Sequence, residues 1–338
     1  MSVIVWVGAA GEVLNVVSLV CSATILFTLV VLAIHNYRLV NRISLRLTAG
    51  IAVIDILNHA NNIVHRILAD GSMCVFSGML RVAGRQMYCF LNIAIAVNLQ
   101  LIFINGLRPS AKWEMFYWGI PVFLVTVMNS PPLFLGMFGH DGSRCFLKSS
   151  NKQQERILLG INFSCVMIVT FLYCCGVTLV VGFRLRSKLR IVQNLAPHRF
   201  QRDIEAASVE KSLKKLLFRI TLYPLTFIIS MFFYFVVTIM YILDTSDTTT
   251  FALAKLGLSL TGMLGFGAFL MDPTLHVASK SMLAKFLPPE KQLYSPEKSL
   301  ISDSSSTIEL SRIPLTYRQF DNASSEPRVG GNNNLRLL

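Results

Sequence analysis

Apolar residues along the 338-residue chain gather into runs of roughly 20, separated by short charged or turn-forming stretches. A run of that length, coiled at 1.5 Å per residue, crosses a hydrocarbon layer about 30 Å thick and satisfies its backbone polar groups internally. The pattern predicts spans over 13–34, 43–65, 79–107, 113–134, 157–183, 216–243 and 251–271. Pro121, Pro131 and Pro132 kink or end the fourth, and Pro224 lies inside the sixth. Past the seventh, Leu275, Ala278, Met282 and Phe286 recur at helical spacing beside Lys280 and Lys285, which predicts a short amphipathic helix over 272–287 at the membrane interface.

The expected architecture is an all-α membrane protein. Residues 1–12 form a short extracellular amino terminus, 13–271 a seven-transmembrane-helix bundle, 272–287 the interfacial helix and 288–338 a disordered cytosolic tail rich in Ser, Asn and Pro. No internal repeat is visible, which weakens the duplicated architectures of many transporters, although seven-helix sugar-transporter folds keep a small-solute transporter open as an alternative.

Composition agrees with the pattern: 53% of residues are hydrophobic and only 14% charged, with a mean hydropathy of +0.57, a balance that soluble domains rarely show. The net charge of +13 would suit a nucleic-acid partner, but its placement says otherwise. Under this topology 23 of the 31 Lys and Arg fall on one side of the membrane. That is the positive-inside asymmetry, and it points to a multi-pass plasma-membrane protein with its amino terminus outside, touching anionic lipid and no nucleic acid. The first run is too long for a signal-peptide core and serves as its own insertion signal. The long basic inner segment 184–212 is partly amphipathic, so the fifth and sixth helices are expected to continue beyond the bilayer.

Candidate chemistry is confined to a few polar residues. Asp55, His59 and Asn62 stand at i, i+4 and i+7, on one face of the second span. An ionisable group at that depth faces the bundle interior or a water-filled cavity and serves as ion site, switch or ligand contact, or else only as an interhelical hydrogen-bonding group. Arg81, Arg85, Tyr88 and Asn92 form a second stripe, on the third span. The two arginines either snorkel to the outer interface or offer bidentate donors to an anionic ligand. Cys74, just before the third span, and Cys145, in the loop after the fourth, are the two of seven cysteines outside apolar runs. A disulfide between them would pin that loop, and two loop cysteines also occur free. Pro224 frees the carbonyl of Ile220 and supplies a hinge. In the tail, Ser302, Ser304, Ser305 and Ser306 either accept phosphate or are merely solvated.

Several short motifs converge on one family. Cys89-Phe90-Leu91-Asn92, Lys112-Trp113-Glu114, Tyr117-Trp118-Gly119-Ile120-Pro121, Arg144-Cys145-Phe146 and Leu222-Tyr223-Pro224-Leu225 resemble the slime-mould cyclic-AMP receptors and their fungal receptor-like relatives, over roughly Val13 to Phe286. The resemblance implies a G-protein-coupled receptor for a small extracellular molecule, a Cys74–Cys145 disulfide, and a heterotrimeric G protein met by inner-loop residues such as Arg108, Lys112, Arg184, Arg186, Lys214 and Lys215. It leaves the ligand between a nucleotide and a nutrient. The chain departs from rhodopsin-like receptors at Asn105-Gly106-Leu107-Arg108 and at Asp272-Pro273-Thr274-Leu275-His276.

Two rivals fit less well. A retinal protein needs a lysine near the middle of the seventh span and a carboxylate in the third; Lys255 lies near the outer end and 75–107 has neither Asp nor Glu. A zinc hydrolase needs ligands converging from several helices, whereas Asp55, His59 and His65 all lie on one. The expectation is a non-enzyme without cofactor or metal.

Overall fold

Helices make up nearly all of the described chain. The computed structural model describes residues 3–35, 37, 43–65, 67–107, 111–140, 145–148, 160–195, 222–237, 239–240, 248–272 and 275, all within one unit, Met1–Lys280. Helices α1 (Val3–His35), α2 (Ile43–Val64), α3 (Ser72–Phe103) and α4 (Ala111–Phe134) follow in order, then an antiparallel hairpin of β1 (Phe138–His140) and β2 (Cys145–Leu147). Helix α5 (Val166–Leu195) is entered through a π-helical turn, Gly160–Cys165, and α6 is Leu222–Val237. Helices α7 (Thr248–Ser259) and α8 (Thr261–Leu270) continue one another across a break at Leu260.

Five segments, Ala9–His35, Ile43–Val64, Ser72–Phe103, Val166–Arg184 and Ala252–Leu270, are long and apolar enough to cross a membrane, and the chain is a multi-pass membrane protein. Helix α4, with its three prolines, and the shorter α6 stand outside that set.

The elements differ from the sequence expectation at several points, among them the end of α3 at Phe103 instead of Leu107 and the break at Leu260 in the run predicted over 251–271. Helix α1 starts at Val3, not Val13, because Val3-Ile4-Val5-Trp6-Val7 prolongs the apolar run with no helix breaker. Helix α3 starts at Ser72, not Met79, so Cys74 lies in its first turn; Met73, Val75 and Phe76 extend its apolar face. The fold is also not purely helical. The stretch after α4 pairs as a hairpin in the register Phe138 with Leu147, Gly139 with Phe146 and His140 with Cys145, and it buries Phe138 and Leu147 against Val82 of α3. Helix α5 does run on, about three turns past Arg184, as its basic continuation predicts. Of the expected interfacial helix only Asp272 and Leu275 are described; the tail lies outside the described residues.

Helix α3 is the interior rod. Its most apolar window is 61% buried, against 28% to 39% for the other four spans, and it packs on α2, α4, α5 and the hairpin. Tyr88, Leu91, Ile95 and Leu99 of α3 anchor the main core, met by Met167, Cys174 and Val181 of α5 and Phe227 and Met231 of α6. Helix α1 packs on α2, α7 and α8. It presents a polar inner stripe, Asn15, Ser18 and Ser22, all buried, and Ser18 Oγ donates to the carbonyl of Ser259. Gly262 permits that approach: a Cβ there would lie 2.5 Å from the Ser18 carbonyl oxygen. Outward faces are apolar. Val13, Val20, Phe27 and Ile34 stand exposed along α1, Phe116, Ile120, Phe123 and Val127 along α4, and Leu225, Ile229 and Phe232 along α6. On α1, which is long and apolar enough to cross a membrane, such a stripe is a face for lipid.

Candidate functional site

Helix α2 crosses the interior with an unusual load of polar groups, and its spacing decides where they point. Asp55, Asn58, His59 and Asn62 at i, i+3, i+4 and i+7 share one face. That face lines a cavity of about 410 Å³, its mouth included. Arg85 and Tyr88 of α3 stand across from it, Met167 of α5 and Met231 of α6 form apolar wall, and Leu258 and Thr261 close it from α7 and α8.

One side of the cavity is fixed by hydrogen bonds. His59 donates from Nδ1 to Asn15 Oδ1 at 2.7 Å, and Asn15 Nδ2 donates back to the His59 carbonyl at 3.2 Å. The reciprocal pair fixes which end of the Asn15 amide faces the ring and puts the neutral imidazole proton on Nδ1. Asn62 Nδ2 approaches the same Asn15 oxygen at 3.5 Å. The opposite ring nitrogen, Nε2, lies 3.3 Å from Thr261 Oγ1. His59 thus ties α1, α2 and α8 together just where the last rod breaks. The break has a local contribution: Ser259 Oγ donates to the Lys255 carbonyl, so a hydroxyl competes for the backbone of the preceding turn.

Asp55 is 5% exposed and faces the cavity. Among the described residues it has neither hydrogen bond nor ion pair. Arg85 lays its guanidinium 5.8 Å from the ring centroid of Tyr234. Asn58 reaches α3 beside Arg85 because Gly84 has no side chain; a Cβ on Gly84 would collide with the Asn58 amide oxygen.

The two sequence stripes therefore fare differently. Asp55, His59, Asn62, Arg85 and Tyr88 come together in one cavity. Arg81, one turn nearer the hairpin, stacks over Phe146 at 5.5 Å instead, and Asn92 donates to the Tyr88 carbonyl of its own helix at 2.8 Å. Asn58 was legible from its place on the Asp55 face, and Asn15 from the polar stripe in an otherwise apolar α1. Met167, Met231 and Leu258 carry no signal that separates them from ordinary core.

Around the site, Cys74 and Cys145 form a disulfide that ties the hairpin to the first turn of α3. Lys255 pairs with Glu12 at 2.6 Å, joining α7 to α1. At the opposite end Arg46 of α2 meets Glu114 of α4 at 2.8 Å. Arg184 donates to the Ile104 carbonyl at 2.8 Å and so caps the end of α3, while Arg186 is exposed and Lys112 sits in the first turn of α4. Pro224 is buried near the start of the described part of α6. Ile220, Arg108, Lys214, Lys215 and the serines at 302, 304, 305 and 306 lie outside the described residues. Among the described residues no three His, Cys, Asp or Glu side chains gather as a metal site requires.

In comparison with known proteins, no family model matches this chain and no curated protein matches it.

Proposed function

We propose that the chain is a G-protein-coupled receptor: a seven-helix bundle in the plasma membrane, amino terminus outside, that senses a small extracellular molecule in the cavity between α2, α3 and α6 and activates a heterotrimeric G protein. Helices α4 and α6 supply the remaining crossings in this reading, supported by the outward apolar stripes of Phe116, Ile120, Phe123 and Val127 and of Leu225, Ile229 and Phe232. The asymmetric placement of Lys and Arg supports the orientation, and the short motifs resembling cyclic-AMP receptors support the class.

The observation that carries the proposal is that one cavity is walled by α2, α3, α5, α6 and the α7–α8 rod. A ligand held there by Asp55 or Arg85 also touches Met231 of α6. It can therefore bind one placement of α6 better than another, which is all that a ligand-driven switch requires. The shift would be read at the opposite end, where Arg186 of α5 and the basic segment after it face the G protein, with Pro224 as the hinge.

The test is nucleotide exchange on a purified Gα subunit in vesicles holding the full chain, challenged with nucleotides, sugars, organic acids, amino acids and lipids. Ligand-dependent exchange is expected. Ligand flux across the vesicle wall with no exchange would replace the receptor by the transporter. Pro224→Ala, at normal surface abundance, is expected to reduce the maximal response; full signalling by that variant would remove the hinge.

A further inference from the structure

Most polar groups lining the cavity are engaged within the protein. His59 uses both ring nitrogens, on Asn15 and Thr261, and Asn62 reaches Asn15. Arg85 lays its guanidinium over the Tyr234 ring and has a further interaction of its own. Asp55 differs. It is nine-tenths buried and more, lines the cavity, and has neither hydrogen bond nor ion pair among the described residues. Tyr88, a neutral phenol, is the neighbour on which its charge acts. Burying a carboxylate without a donor or a counter-charge is costly, and inside a membrane protein such a group marks a site for something charged.

We propose that the cavity takes a small organic cation, a primary amine whose ammonium group is held by Asp55 and whose hydrocarbon part rests on Met167, Met231 and Leu258. This deepens the receptor reading and rests on it for what the bound amine does, not for the binding itself. The sign of the guest follows from Asp55: an anion would meet it with like charge, and a neutral guest would leave it without a counter-ion. The Tyr88 ring adds to the attraction, because the face of an aromatic ring is negative. The organic body follows from the apolar wall. Two thioethers and a hydrocarbon side chain offer a hard metal ion no oxygen donor, and among the described residues no three His, Cys, Asp or Glu side chains gather. The same wall suits an alkyl or aryl chain, since methionine is flexible and polarisable and adapts to differing shapes. Arg85 carries the guest's own sign, and its repulsion confines the ammonium to the α2 wall.

The experiment is direct binding to the purified full-length protein in detergent, without G protein and at fixed ionic strength. The probes are methylamine, n-butylamine, n-hexylamine, phenylethylamine and tryptamine, each beside the alcohol that carries hydroxyl in place of ammonium. At least one amine is expected to bind saturably, with its alcohol weaker by about tenfold or more. In Asp55→Asn the difference between amine and alcohol should disappear, whereas Asp55→Glu, which keeps the charge, should retain it; general destabilisation does not produce that contrast. If Asp55→Asn fails to fold, the comparison of amine with alcohol on the native chain carries the test. Absence of saturable binding by every amine, or equal binding of amine and alcohol, overturns the proposal. Binding of sodium or potassium ions with no amine bound overturns it too, making Asp55 an inorganic cation site. Amine binding without G-protein exchange would leave the site standing and remove the receptor; exchange driven by a ligand of another class, with no amine bound, would do the reverse.

Discussion

At the scale of single residues, some polar positions inside the spans are joined in pairs far apart in sequence. His59 and Asn15 are 44 residues apart yet exchange two hydrogen bonds. Removing either strands the other in an apolar interior, so each single alanine variant overstates the pair. A double-mutant cycle of Asn15→Ala and His59→Ala, read as thermal or denaturant stability in detergent, is expected to give a coupling of about 0.6 kcal/mol, with about 1.7 as the upper bound known for such bonds. Independent effects of the two substitutions would contradict the pairing. The periodicity of Asp55, His59 and Asn62 was readable in the sequence because a helix repeats every 3.6 residues and one span is local. That His59 chooses Asn15, and that Arg81 turns to Phe146 while Arg85 turns to the cavity, was not, because those choices depend on which helices become neighbours.

At the scale of elements, close approach is set by glycine, and glycines that look alike in sequence differ sharply in effect. A Cβ on Gly262 would lie 2.5 Å from the Ser18 carbonyl and 2.6 Å from Ser22 Oγ, whereas one on Gly176 of α5 meets nothing within 4 Å. Gly262→Ala is expected to lower stability by about 1–3 kcal/mol, the usual cost of overpacking, while Gly176→Ala is expected to be neutral or slightly stabilising through helix propensity. Thermal unfolding of the two purified variants decides it; equal stability would mean that α1 and α8 do not meet as described. The hairpin makes a second case. Its strands are three residues each, too short for an alternation to stand out from a loop, and the disulfide fixes β2 against α3. The long apolar runs, by contrast, were readable because length and hydropathy alone define them, and their ends shifted where flanking apolar residues such as Val3 to Val7 or Met73 to Phe76 allowed another turn.

At the scale of the whole molecule, two ion pairs mark opposite ends: Lys148 with Asp70 at the hairpin end and Arg46 with Glu114 at the other. In the proposed orientation a cysteine at Asp70 should react with a membrane-impermeant maleimide on intact cells, and one at Glu114 only after permeabilisation. The reverse pattern would invert the topology, and reaction of both from outside would break the crossing count. Sequence charge supplied this orientation, since Lys and Arg resist translocation wherever the fold later places them. The contact between the first helix and the last rod has a consequence for synthesis. Ser18 finds its partner 241 residues later, and at about 5–20 residues per second α1 waits roughly 12–50 s with that hydroxyl lacking its interhelical acceptor. Chains halted ahead of Thr248 thus carry Ser18 without its partner on the last rod, the kind of feature by which a cell's quality control tells an unfinished membrane protein from a finished one.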